Sequence, residues 1–232
     1  MPMYRRDRDT DYRVVDRWHR GVGWQAVPEE GGLRTSHAVE VPDGGVWLVD
    51  PLDAQGVDDV YADLGQVVGV AVLSDYHARD AAVFAERHDV PVTVPTGLDR
   101  AAEQVDPPVR RVTDSLAGFE LRRVSPLGTW TETVAYRERD GTLYVPDVLS
   151  SGAAFTVGDE RLGLNVLARL SPPRETFADI EPDRVLLGHG DGVFGDASAA
   201  LNDSLANARR RLPRALVSTV PRELQAMVDA VR

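Results

Sequence analysis

The sequence predicts an α/β protein of layered sheets covered by helices, on three observations. Strand-like and helix-like segments interleave in both halves of the chain. The run at 67–73 is continuously apolar and rich in Val, the pattern of a strand buried on both faces. Four strand-like segments end in polar, chemistry-bearing residues, which is where layered α/β proteins build their sites.

The elements follow in order. A charged lead-in covers 1–22. Strands are expected at 23–27, 34–41 and 45–49, and the alternation of His37, Val39 and Val41 with the Asp43-Gly44 turn makes the last two a hairpin. A helix over 55–64, the buried strand at 67–73, a helix over 79–88 and a strand at 90–94 come next. In the second helix Ala82, Phe84 and Ala85 stand at roughly helical spacing. The middle is rich in strands, at 109–112, 119–124, 131–137 and 142–145, with Asp140-Gly141 as the turn between the last two. An irregular stretch leads to a strand at 184–187 and the loop GHGDGVFG, and helices over 197–211 and 222–230 close the chain. No repeat or linker divides it, so 1–232 reads as one domain.

Composition narrows the function classes. With 43% hydrophobic and 27% charged residues the chain is neither disordered nor built to span a bilayer, and its apolar runs are too short to cross one. The first residues carry charge where a secretory signal needs an apolar stretch, which points to the cytoplasm. There is no Cys, so disulfides, thiolate nucleophiles and Cys-rich zinc sites are excluded. A formal net charge of −11 works against nucleic acid or an anionic membrane as partner and leaves a small-molecule substrate or ligand. The basic cluster Arg209, Arg210 and Arg211 falls near the expected end of a helix, where cations offset the macrodipole. Lys is absent and Asp outnumbers Glu, a balance that resembles halophilic proteins; a GC-rich genome also replaces Lys with Arg.

Four segments carry the chemistry: LVDP (48–51), LSDYHARD (73–80), LYVPD (143–147) and LLGHG (186–190). Their order resembles the metallo-β-lactamase superfamily, and the resemblance runs from about Ser36 to about Gly192. It implies a four-layer αββα sandwich of the metallo-β-lactamase type and a hydrolase-like activity. In that family an early strand ends in a similar L-[IV]-D-P, and a buried strand runs into H-x-H-x-D-H at a helix start. A later strand ends in a metal-bridging Asp, and a last one in G-H-G.

The departures define the site as much as the matches. Asp75 stands at the first His position, His77 is retained, Arg79 replaces the Asp, and Asp80 replaces the next His. The family's further His has no counterpart near Ser125–Thr129. Asp147 matches the bridging carboxylate and His189 the last ligand, while Asp50 matches a structural Asp that fixes a loop beneath the site. The resemblance therefore implies the loss of the two-zinc site. A mononuclear site remains open to Zn, Fe or Mn, held by His77, Asp147 and His189 with Asp80 or Asp75. Such an ion would make water a nucleophile, with a free carboxylate, Asp75 or Asp80, as general base.

Arg79 opens the alternative. A guanidinium is permanently charged and pairs with carboxylates, so Arg79 beside Asp75, Asp80 or Asp147 would supply the charge that a metal otherwise provides. The protein would then be metal-free, binding a ligand or partner in the old cleft with Arg79 as anion contact. The remaining histidines carry less: His19 and His88 read as solvated or capping, and His37 as a packed strand residue. The glycines 190, 192 and 195 match a dinucleotide fingerprint in form, but no βαβ unit follows them.

Overall fold

The structure, a computed structural model, describes residues 11–42, 44–105 and 109–218. One sheet takes seven strands in sequence order: β1 (Arg13–Trp18), β2 (Gly21–Gln25), β3 (Ser36–Glu40), β4 (Gly45–Val49), β5 (Gln66–Ala71), β6 (Val92–Pro95) and β7 (Arg110–Val112). The first four pair antiparallel, and β4 to β7 run parallel. The later strands are β8 (Ser115–Leu116), β9 (Phe119–Val124), β10 (Glu132–Arg137), β11 (Thr142–Val145), a hairpin of β12 (Leu149–Ser150) and β13 (Gly163–Leu164), and β14 (Arg184–Leu187). Five of them form a second sheet in the order β14-β11-β10-β9-β8.

Helices α1 (Ala81–His88) and α2 (Asp99–Gln104) cover the first sheet, burying Phe84 and Ala101 in one cluster with Trp24, Leu48 and Val70. Helices α3 (Val166–Leu170), α4 (Arg174–Phe177) and α5 (Ala197–Ser218) cover the second, where Phe177, Leu201 and Leu205 meet Leu143, Val145 and Leu187. Between the sheets lie Val39, Val49, Leu73, Phe119, Tyr144 and Leu186. Leu143 and Val145 thus face helices while Tyr144 faces the other sheet, the two-residue alternation of a strand buried on both sides. The result is the four-layer αββα sandwich.

Several local expectations change. The lead-in is not irregular, because 13–18 and 21–25 are strands. In β1 only Asp16 is fully buried, so the strand has no apolar alternation to reveal it. The segment expected as a helix over 55–64 is two 3-10 turns, Val57–Val60 and Ala62–Leu64, bracketed by Gly56 and Gly65 at φ 73° and 129°. The helix expected from 79 starts at Ala81, since Arg79 holds a left-handed φ of 41° that no helix accepts. The irregular stretch contains α3 and α4, and α5 runs through Pro213 to Ser218. The arginine cluster therefore does not sit at a helix end: Arg211 pairs with Asp203 at 2.6 Å, and Arg209 donates to the Leu170 carbonyl at 3.2 Å. The helix expected over 222–230 and Asp43 of the expected turn lie outside the described residues. No helix among the described residues is long and apolar enough to cross a membrane.

Register positions the site. β11 and β14 run parallel with Val145 opposite Leu187, so Asp147 and His189 follow two residues beyond a shared rung. β4 and β5 run parallel with Val49 opposite Ala71, bringing Asp50 to the foot of the turn that bears His77. Bridges from Ser74 to Glu132 and from Arg34 to His189 draw these two strand ends together.

Candidate metal centre

Each functional side chain leaves its strand at a turn. The His77 N–H closes a turn on the Ser74 carbonyl at 3.0 Å, which folds the chain after β5 so that the imidazole faces the second sheet. His189 sits in the glycine-rich loop after β14. Gly190, at φ 88°, turns the chain there and donates its N–H to the Leu33 carbonyl at 2.8 Å. Leu33, Asp50 and Arg79 all carry positive φ, so much of the non-glycine left-handed backbone lies around this one point.

Three atoms converge there. His77 Nε2 and His189 Nε2 are 3.2 Å apart, and Asp147 Oδ1 is 3.1 Å from each. Both imidazoles are oriented from behind: His77 Nδ1 meets Asp50 Oδ2 at 2.9 Å, and His189 Nδ1 meets the Gly32 carbonyl at 2.6 Å. These partners only accept, so each Nδ1 donates and each neutral ring presents its Nε2 lone pair to the centre. With both rings neutral, three lone-pair atoms face one another, an arrangement that either a proton on one Nε2 or a bound cation satisfies. Ligand atoms bound at about 2.0–2.1 Å around a tetrahedral ion stand roughly 3.3 Å apart, close to the triangle observed. The donor set of two imidazoles and a carboxylate suits zinc and other first-row divalent ions.

Electrostatics point the same way. Burial works against an ionised Asp147, but His77 and His189 outweigh it and hold the carboxyl well below its usual range. Burial and Arg79 pull the His77 pKa down, yet Asp147 and Asp50 raise it overall. The pocket favours positive charge at its centre.

The other expected site residues divide. Asp50 lies beneath the centre: Oδ1 accepts the Leu73 N–H at 2.8 Å while Oδ2 holds His77, and Tyr144 donates to the same carboxylate. Arg79 does reach the centre, but the expected pairing with Asp75, Asp80 or Asp147 is corrected. Its Nη1 donates to the carbonyls of Thr35 and Asp50 at 2.7 Å each, and its Nη2 to the Gly188 carbonyl at 3.0 Å and to His77 Nε2 at 3.2 Å. The left-handed turn at 79 places the guanidinium under three strand-end carbonyls, two of which also accept from Thr35 N–H and the Ser36 hydroxyl. Asp80 does not join the cluster, because its Oδ2 accepts the Asp53 N–H at 2.9 Å just before α1. Asp75 turns the other way, towards the Ala101 N–H at 3.4 Å. Among the described residues the potential metal-holding group is His77, Asp147 and His189.

Two contributors escaped the sequence reading. The buried Ser74 hydroxyl donates to Asp147 Oδ2 at 2.5 Å, and its place directly before the motif was the available signal. Glu132, fully buried at the start of β10, accepts from the main chain of Asp147 and Val148. A lone acid inside the otherwise neutral run TETVAY was its only trace. Asp16 is another buried acid: its Oδ1 accepts the Gly192 N–H at 2.8 Å, which ties β1 to the loop of His189. Burial pushes its carboxyl up to about 7. His37 packs as expected, with Nε2 on the Leu187 carbonyl at 2.9 Å, and burial lowers it to about 4. A cavity of about 460 Å³, bordered by Leu33, Ser151, Arg161 and Gly190, adjoins this loop.

Two packed sheets, helices on both outer faces and a His-Asp-His group at the joined strand ends define a class: the chain has the metallo-β-lactamase fold. No family model and no curated protein matches it. Among solved structures it is similar to the metallo-β-lactamase from Hirschia baltica, with a TM-score of 0.59 at 14% identity over 85% of this chain and 97% of that one. It is similar also to VMB-1, with a TM-score of 0.63 at 11% identity over 87% of this chain and 97% of that one. The mono-zinc form of the metallo-β-lactamase FIM-1 from Pseudomonas aeruginosa gives 0.55 at 12% identity, over 93% of this chain and 99% of that one.

Proposed function

We propose that the protein is a metal-dependent hydrolase with a single divalent ion, zinc by preference, held by His77, Asp147 and His189. The observation that carries this reading is the triangle of three lone-pair atoms with edges of 3.1–3.2 Å, each imidazole locked from behind by an acceptor. When bound, such an ion supplies Lewis-acid polarisation of a carbonyl or phosphoryl group and makes water nucleophilic at neutral pH.

The chain's own residues do the rest. Asp50 and the Gly32 carbonyl fix the two rings, and Ser74 occupies Asp147 Oδ2 so that only Oδ1 is offered. Arg79 brings a fixed positive charge within 3.2 Å of His77 Nε2, which disfavours a second cation beside the first. Asp75 and Asp80 stand outside the group, and either would act as general base only through a bridging water or a loop rearrangement. Substrate reaches the centre on the side of Asp147, the most exposed of the three side chains at 20%. The test is hydrolysis of a panel of chromogenic esters, thioesters, phosphodiesters and lactams by zinc-loaded protein. Turnover of one class, abolished by a chelator and by His189→Ala, is expected. Equal turnover by that variant would remove the ion from the chemistry.

The Arg79 contact with His77 Nε2 favours a second reading, in which the guanidinium stands in for the metal and the cleft only binds a ligand. It serves one of three acceptors and leaves His189 Nε2 and Asp147 Oδ1 facing each other, so it ranks second. A metal-free protein that binds anions and loses that binding in Arg79→Ala would favour it.

A further inference from the structure

Asp147 is the only ligand of the group whose geometry rests on a short loop between β11 and β12 rather than on a ring locked from behind. Its side chain is steered by Ser74 through Oδ2, but its main chain must also be held, because a loop shift would swing Oδ1 off the triangle. Beneath that loop lies the Glu132 carboxylate, with no solvent exposure. Oε1 accepts the Val148 N–H at 3.1 Å, and Oε2 accepts the Asp147 N–H at 3.2 Å and the Trp130 Nε1–H at 2.9 Å. All three donors are neutral N–H groups, and no cation faces this acid among the described contacts. The main chain of Glu132 is bridged to Ser74, at the head of the turn bearing His77. One residue thus joins the loop of the carboxylate ligand to the turn of an imidazole ligand.

We propose that Glu132 is a positioning residue of the metal centre, fixing Asp147 as a one-oxygen ligand in register with His77. This role rests on the metal reading above. Supporting groups behind metal ligands typically account for 10–100-fold in metal affinity when removed. In Glu132→Gln one N–H of the loop or of Trp130 must face the new NH2 group, so Asp147 shifts while side-chain size is kept.

The experiment titrates the full chain with Co2+, reading both affinity and the visible ligand-field spectrum, for wild type, Glu132→Gln and Leu201→Ala. The last opens a cavity under α5, on the helix side of the second sheet, and controls for lowered stability alone. Expected are a 10–100-fold weaker affinity with a changed spectrum in Glu132→Gln, and wild-type binding in Leu201→Ala. Unchanged affinity and spectrum in folded Glu132→Gln would overturn the positioning role and leave the metal reading standing. No Co2+ binding by wild type or either variant would overturn both. Should Glu132→Gln fail to fold, Glu132→Asp takes its place. It keeps the charge but falls one methylene short, and wild-type affinity there would equally overturn the role.

Discussion

Two buried charge clusters, one at the joined strand ends and one between α3 and the segment before it, are built on opposite principles. Glu160 and Arg169 have fully buried side chains and close on each other at 2.6 and 2.9 Å. The remaining Arg169 donors go to the carbonyls of Leu164 and Phe155, and Glu160 also accepts the Val157 N–H. Every charge there is answered. In the His77–Asp147–His189 cluster the supporting groups point every lone pair inward, and the one protein cation nearby reaches only His77. A closed pair pins a loop; the open triangle leaves room for the proposed ion. Burial and charge alone do not separate the two, but the count of donors against acceptors does.

The largest expected effect comes from breaking the closed pair. Arg169→Met takes away the closest partner of the Glu160 carboxylate and leaves only Arg211 at 3.3 Å, so it should cost about 3 kcal/mol in denaturant unfolding, the low end for breaking a buried pair. The double variant Glu160→Gln/Arg169→Met should recover most of the loss. Adding metal should rescue neither, which distinguishes this cluster from the other.

Asp16, behind the His189 loop, gives the next effect. Its folded pKa of about 7 lies above the ordinary carboxylate value near 3.9, so the folded protein holds a proton that the unfolded chain releases. Stability from this group is complete at acid pH and is lost as pH rises from about 4 through 7, a few kcal/mol in all. Asp16→Asn keeps an acceptor for the Gly192 N–H and cannot ionise. It should match wild type near pH 4 and exceed it progressively towards pH 7, in unfolding measured across that range. His37, lowered to about 4, acts in the opposite direction with Nδ1 4.0 Å from Asp16 Oδ2, so its share cancels only above about pH 5, where it is neutral in both folded proteins. Parallel curves would contradict the burial of an ionisable Asp16.

Metal should act only on the open cluster. Zinc at 100 times its dissociation constant should raise unfolding stability by about 2.7 kcal/mol. His189→Ala should lose that gain, whereas Arg169→Met should keep it, as read by thermal unfolding with and without chelator. The smallest effect lies in the backbone of Arg79. Replacing it by Ala or by Gly removes the same donors, but only Gly is at ease at φ 41°, so Arg79→Gly should be the more stable of the two by about 1 kcal/mol. Equal stability would mean that the turn relaxes once the guanidinium is gone.

How legible each region was in the sequence follows from the same contrast. The continuous apolar run at 67–73 marks the buried β5, and the strands at 45–49, 119–124, 142–145 and 184–187 stand where the sequence puts them. His77, Asp147 and His189 were legible through the resemblance carried by the strand-end motifs, and the register of β11 and β14 brings the last two together. Asp80 and Asp75 carry ligating chemistry at motif positions, but side-chain direction at a turn depends on backbone angles that spacing does not encode. The conformation of Arg79 illustrates this: its left-handed φ turns the guanidinium to carbonyls rather than carboxylates. Glu160 and Arg169 left no periodic trace, being nine residues apart in an irregular segment. Strand β1 stayed hidden because its one fully buried residue is an acid.

The central claim is that the open triangle holds one divalent ion and no more. Native mass spectrometry of protein loaded with excess zinc and then desalted tests it directly. One zinc per chain, absent in His189→Ala and retained in Arg169→Met, is the result the account predicts. Two zinc ions per chain, or a single zinc that survives His189→Ala, would contradict it.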